Sequence, residues 1–185
     1  MRKAKSALEM ATRSVELDPA DPQGFLVGML GEEPVATISV VRYGASFGFL
    51  GLYIVRAPFR GHGYGLRIWD AGMTHLAGRT VGLDGVVDQQ ENYQRSGFKL
   101  AYRNIRYQGR NGAKGALDAR LVPLSSIPLE KVLAYDRACF PESRAGFLRC
   151  WIAQPESRAL GIMGTGALNG YGVIRPARDG FKIGP

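Results

Sequence analysis

Leu52-Tyr-Ile-Val-Arg-Ala-Pro-Phe-Arg-Gly-His-Gly-Tyr-Gly-Leu-Arg-Ile-Trp69 decides the fold. The apolar run Leu52 to Val55 reads as the end of a strand. Pro58 marks a bend, residues 60–65 are a glycine-rich turn, and from Gly65 the apolar spacing becomes helical. Gly61, Gly63 and Gly65 stand on alternate positions and leave backbone N–H groups bare, so that these can converge on an anion. A helix that starts at Gly63 or Gly65 brings its positive end to the same point. Arg60 adds a planar fork of donors that suits phosphate oxygens. The stretch is a candidate pyrophosphate cradle.

Working outward, residues 24–30, 35–42 and 47–55 read as three strands joined by tight turns at Gly31–Pro34 and Tyr43–Ser46. They predict an antiparallel meander that leads into the cradle. Before them, Ala7, Leu8, Ala11 and Val15 share one side of a helix predicted over 3–17, which Asp18-Pro-Ala-Asp-Pro22 ends. After the cradle, Leu66, Trp69, Met73 and Leu76 keep helical spacing. Residues 81–87 then read as a strand that follows a crossover helix, hence parallel to 47–55. A short helix over 88–96 stops at Gly97, and Phe98 to Tyr107 alternates as a strand. Residues 129–139 and 143–153 predict helices, and 157–185 is again strand-like.

That last section repeats the first. Sliding residues 20–51 forward by 133 positions sets Ala20 on Ala153, Pro22 on Pro155, Gly28 on Gly161, Gly31 on Gly164, Arg42 on Arg175 and Gly51 on Gly184. Apolar positions follow: Val35 meets Leu168 and Val40 meets Val173. The expected organisation is one domain over 1–122 and a partial second one over 123–185. The second copy stops before its own cradle, so one cofactor per chain is expected.

Composition narrows the function classes. With 45% apolar and 22% charged residues the chain can build an ordinary core. No apolar run approaches the roughly 18 residues of a membrane span, and no signal core follows the basic N-terminus. A cytoplasmic location is expected. The net charge of +8 favours an anionic partner without choosing one. Cys139 and Cys150 read as two buried thiols; with no further ligands near them, no metal site is expected.

A strand, then Arg-x-x-Gly-x-Gly opening a helix, a parallel strand, and a helix ending Tyr-x-x-x-Gly-Phe resembles the GNAT superfamily of acetyl-CoA-dependent N-acetyltransferases. Ile54, Val55, Arg60, Gly63, Gly65, Asn92, Tyr93, Gly97 and Phe98 carry the match, over about residues 20–107. The resemblance implies an α/β (α+β) fold. Its mixed, mostly antiparallel sheet would hold a central parallel pair and flanking helices, with a truncated GNAT-like half domain after it. A GNAT domain normally begins with a strand and two helices, so the first strand is expected to be missing here. A dinucleotide fingerprint would need glycine at Leu66, and a P-loop would need Gly-Lys-Ser/Thr; both readings fail.

The resemblance also implies chemistry: transfer of acetyl from acetyl-CoA directly to a primary amine. A small-molecule amine is expected, because a second domain would roof the acceptor cleft. The backbone of Ile54 and Val55 would pair with the pantetheine arm. The amides of Arg60, Gly61, His62, Gly63, Tyr64 and Gly65 would take the pyrophosphate. Tyr93 would be the general acid for the leaving thiolate, or else pack on the cofactor, and its ordinary pKa near 10 suits donation. Asn92 would meet a pantetheine amide, or cap its helix. Asp84 is the first choice of base, with Asp88 and Glu91 as alternatives, though Asp88 is as well suited to capping. His62 lies in the cradle, near a phosphate or facing solvent; His75 reads as a helix-surface residue. Arg103, Arg106, Arg110 and Lys114 give a basic side that faces solvent, an acidic substrate or the phosphorylated nucleotide. The exposed strand edges of the carboxy-terminal half domain would be covered by a homodimer or by the first domain. A nucleic-acid binder rests on charge alone. The alternative from another class is a non-catalytic acyl-CoA-binding, sensing module.

Overall fold

Val35, Ile38 and Val40 are fully buried along the longest strand, and the first core is built around them. The computed structural model describes residues 10–14, 21–110 and 118–184. Five strands form one sheet: β1 (Ala11–Ser14), β2 (Phe25–Leu30), β3 (Glu33–Tyr43), β4 (Phe47–Val55) and β5 (Thr80–Leu83), in that spatial order. The first four are antiparallel, and β5 joins β4 in parallel through helix α1 (Tyr64–His75). A parallel neighbour requires such a crossover. Helix α1 lays Ile68, Trp69 and Gly72 on the sheet. A Cβ at Gly72 would fall 2.9 Å from Val40 Cγ1, so glycine lets helix and sheet approach there. The short helix α2 (Gln90–Arg95) follows β5.

The second sheet has strands β6 (Leu121–Pro123), β7 (Arg158–Met163), β8 (Leu168–Pro176) and β9 (Phe181–Gly184), all antiparallel. Helices α3 (Leu129–Arg137) and α4 (Ala145–Ile152) stand between β6 and β7. Buried Asp136 accepts from Arg144 Nε and Nη2 at 2.9 and 2.7 Å and from the Tyr171 hydroxyl at 2.7 Å, which ties both helices to β8. The repeat is visible here. β7 begins and ends 133 residues after β2, and the pairs Val35/Leu168 and Val40/Val173 are buried in both copies. The copies differ at the hairpin tip, where Leu30 pairs with Glu33 but Met163 pairs with Leu168.

Phe140 seats the second unit on the first, edge-on to Tyr43 and Phe47 at 5.0 and 5.3 Å. Ser46 donates to Glu142 at 2.6 Å beside it. These contacts lie at the β3–β4 turn. The cradle is at the other end of β4, nine residues or roughly 27 Å away. The expected roof over the acceptor cleft has no support from them.

Four expectations change. Residues 11–14 are a strand on the outer edge of β2, not part of a helix; residues 3–9 and 15–17 lie outside the described residues. Met10 explains the change: its sulfur sits 2.7 Å from the Cβ position of Gly28, so the segment is drawn onto the sheet. Residues 98–107 join no ladder and form no strand. Cys139 and Cys150 are free and exposed: Cys139 lies beyond the end of α3 at Arg137, and on α4 the buried position is Leu148, not Cys150. His75 is not a surface residue: its Nε2 lies 2.9 Å from buried Asp21, which also accepts from Arg42. Lys114 lies outside the described residues.

Candidate active site

The cleft begins where β4 and β5 part. They pair from Phe47↔Thr80 to Leu50↔Leu83, after which β5 ends and β4 runs on to Val55. Among the described residues that side of β4 carries no further strand, and Leu52, Tyr53 and Ile54 are exposed. On the other side, Ser39 pairs with Gly51 and Thr37 with Ile54, so Leu52 and Tyr53 together oppose Ile38. This bulge holds Leu52 at φ 47°, and the Thr37 hydroxyl donates to Leu52 O at 2.9 Å. A bulge bends its strand and re-aims the side chains.

The cradle follows directly. After a single turn at Ala57–Phe59, Gly61 and Gly63 adopt φ 78° and 81°. No atom lies within 4 Å of a Cβ at either, so backbone conformation, not space, calls for glycine. Gly63 caps α1 without a side-chain hydrogen bond. Among the described residues, the N–H groups of Gly61 to Leu66 donate to no backbone carbonyl. They are bare donors at a positive helix end. Arg60 Nε donates to Val55 O at 3.0 Å and fastens the loop to β4. His62 is exposed, stacks on Tyr64 at 5.9 Å and bonds Arg60 O through Nδ1 at 2.8 Å, which leaves Nε2 facing outward. At Gly65 a Cβ would stand 2.8 Å from Tyr53 Oη, so glycine brings α1 against β4.

Four rings form the wall between the cradle and β5. Trp69 packs on Tyr53, Tyr93 and Phe98 at 5.3, 6.1 and 5.9 Å. Tyr93 is placed by the end of α2: Phe98 N–H donates to Tyr93 O at 3.0 Å, Gly97 N–H to Gln94 O at 2.9 Å, and Gly97 has φ 89°. The Tyr-x-x-x-Gly-Phe signature is thus a Schellman ending, with the apolar contact that accompanies it. Burial raises the Tyr93 phenol above its ordinary pKa. Burial, with Tyr93 and Asp70 nearby, raises Tyr53 as well. Both are kept as proton-bearing groups. Tyr53 and Trp69 carried no motif; their signal was position, one beside the open edge and one on the buried face of α1.

The acids separate. Asp84 lies just beyond β5, accepts from Asn104 Nδ2 at 2.9 Å and is exposed beside Gly85, which touches Tyr93. Glu91 pairs with Arg95 at 3.4 Å on the surface. Asp88 is exposed in the turn before α2, where no side chain caps the helix, and Asn92 is no cap either: it donates to Gln89 Oε1 at 2.7 Å. Of the candidate residues, the structure sets Ile54 and Val55 at the end of β4 beyond its pairing with β5, Arg60 to Gly65 just after that end, and Tyr93 against Gly85, next to Asp84.

Two family models recognise this architecture. The acetyltransferase (GNAT) family model matches residues 3–98, just over half of the chain, and a GNAT acetyltransferase domain model matches 132–185. The chain belongs to the GNAT acetyltransferase family. Among curated relatives of this GNAT chain, holothin acyltransferase from Pseudoalteromonas sp. (strain SANK 73390) is 32% identical over 165 residues, which are 89% of this chain and 56% of that protein. A crystal structure from Pyrococcus horikoshii, provisionally assigned as an acetyltransferase, matches with a TM-score of 0.65 at 21% identity, over 90% of this chain and 56% of that one. The GNAT chain spans just over half the length of both. No described helix is long and apolar enough to cross a membrane.

Proposed function

We propose that the chain is an N-acetyltransferase that moves acetyl from acetyl-CoA directly to a primary amine. The observation that carries this reading is the meeting of two sets of unpaired groups: the bare edge of β4 after Leu50 and the bare N–H groups of Gly61 to Leu66. A pantetheine arm can add to the first as a strand adds to a sheet edge, and a pyrophosphate suits the second. Arg60 stands at the loop with positive charge to spare.

The thioester supplies the reactive acyl carbon. The chain's residues position it and handle two protons. Asp84, through water, takes a proton from the incoming ammonium. The amine nitrogen bonds the acyl carbon and sheds its second proton to solvent, the carbon–sulfur bond breaks, and the Tyr93 hydroxyl gives its proton to the leaving sulfur. Solvent then restores both groups. A raised phenol pKa suits Tyr93 to give a proton and not to take one. A small-molecule acceptor is favoured by the relative named for acylating holothin. A cytoplasmic setting fits a coenzyme A donor.

Thiol release from acetyl-CoA against a panel of amines tests this. Amine-dependent release is expected, with Tyr93→Phe lowering kcat by about a hundredfold or more while acetyl-CoA binding is kept. Binding without amine-dependent release would replace the enzyme with a sensing module.

A further inference from the structure

His62 stands inside the cradle, between Gly61 and Gly63, whose φ angles of 78° and 81° turn the backbone on either side of it. Its Nδ1 lies 2.8 Å from Arg60 O. A carbonyl oxygen only accepts, so Nδ1 carries a proton. The other nitrogen follows from this: in the neutral ring Nε2 has no proton and offers a lone pair. The ring also stacks on Tyr64, with 15° between the two planes. Among the described residues Nε2 has no partner. The side chain is thus held by one nitrogen and one face, and its second nitrogen is left to whatever the loop binds.

The charges around the loop run one way. Residues 52–69 include Arg56, Arg60 and Arg67 and no Asp or Glu. On β3, Glu33 is taken by Arg56 at 2.8 Å. Tyr53 of β4 and Tyr64 of α1 add two phenols, and the first carboxylate of α1, Asp70, lies on its second turn near Tyr53. A phosphate oxygen that meets the neutral ring faces a lone pair, and two acceptors repel. The same oxygen that meets the protonated ring finds a charge-assisted donor. An anion in this loop therefore calls for a proton on Nε2.

We propose that the cradle binds its pyrophosphate together with a proton, which settles on His62 Nε2. The imidazolium then donates through Nδ1 to Arg60 O and through Nε2 to a pyrophosphate oxygen. The proton comes from solvent and returns to it when the cofactor leaves. This rests on the reading of residues 60–65 as the acetyl-CoA pyrophosphate site. The sign of the pH dependence sets it apart from the cofactor's own titration. The phosphomonoester of acetyl-CoA loses its last proton near pH 6 and grows more anionic as pH rises, which strengthens binding to a cationic loop. Coupling through His62 does the opposite. His75, the second of the chain's two histidines, is tied to buried Asp21 at the far end of α1, and Cys139 and Cys150 lie in the second unit.

The test is a calorimetric titration of the full chain with acetyl-CoA, repeated in PIPES and in Tris, whose different ionisation heats report the protons taken up. The wild type is expected to take up more of a proton per bound acetyl-CoA than His62→Asn, in which an amide N–H can still donate to Arg60 O. Between about pH 6 and about pH 8 the wild type is expected to lose affinity as pH rises, by at most about tenfold per pH unit, the limit for one proton. His62→Asn should bind more weakly than the wild type at the acid end and keep or gain affinity towards the alkaline end. Amide hydrogen exchange at 60–65 reports where the ligand sits, and exchange elsewhere that the variant is folded. Equal proton uptake by the two proteins, or wild-type affinity that does not fall as pH rises, overturns the proposal while protection of 60–65 keeps the cradle reading. Acetyl-CoA that binds without protecting those amides, or does not bind, overturns both.

Discussion

Tyr93 lies directly against the backbone of Gly85: a Cβ at position 85 would fall 2.7 Å from ring atom Cε2 and 2.9 Å from Cδ2. The end of β5 and helix α2 touch because residue 85 has no side chain. Gly85→Ala must therefore move the ring by some tenths of an ångström. The expected result is a fall of about tenfold in kcat from a misplaced donor. The loss of stability should be only about 1 kcal/mol, because the ring lies at a half-open site. Steady-state kinetics with a thermal melt separates the two effects.

The phenol sets the pH dependence. Burial raises the Tyr93 pKa, and donation requires the protonated form, which exists below that pKa. The rate at saturating substrates should therefore hold its plateau up to and beyond the ordinary tyrosine pKa of about 10, and then fall. In Tyr93→Phe the plateau should drop and this high-pH limb vanish. A pH–rate profile of both proteins checks it.

Asp21 clamps the first sheet to α1. Burial pushes its pKa up, but hydrogen bonds from Arg42 and His75 outweigh that and hold the carboxyl well below the usual range. A depressed folded pKa contributes stability above the unfolded value of about 3.9, and this is lost as pH falls through the folded one. Asp21→Asn is expected to cost about 2 kcal/mol, below the range for a fully buried pair, because the Arg42 side chain is 37% exposed. The variant's melting temperature should also decline less than the wild type's below pH 4.

Cys139 and Cys150 are both free and exposed. A thiol reagent is expected to label both in the native chain without denaturant. Labelling that waits for denaturant would return them to the core.

The strand–cradle–helix order was legible from residues 52–69, because glycine spacing and apolar period are local signals. Tyr93 was legible for the same reason: the Schellman ending is written in Gly97 and Phe98. The repeat was legible as shared glycine and apolar positions. What failed depended on distant partners. Ala11–Ser14 became a strand because Gly28 leaves space for Met10, and no helical period within 3–17 reports that. Residues 98–107 alternate like a strand, but a ladder needs a neighbour, and the sheet ends at β5. His75 looked superficial because Asp21 lies 54 residues before it. The bulge at Leu52 comes from the register of β3 against β4 and has no sequence mark.

A structure of the chain with acetyl-CoA bound tests the central claim most directly, read as the position of the pyrophosphate. The account predicts it within hydrogen-bond distance of the N–H groups of Gly61 to Gly65, with the pantetheine arm along the open edge of Leu52 to Val55 and the sulfur beside Tyr93. A pyrophosphate elsewhere on the chain, or a loop at 60–65 left bare with acetyl-CoA bound, would contradict it.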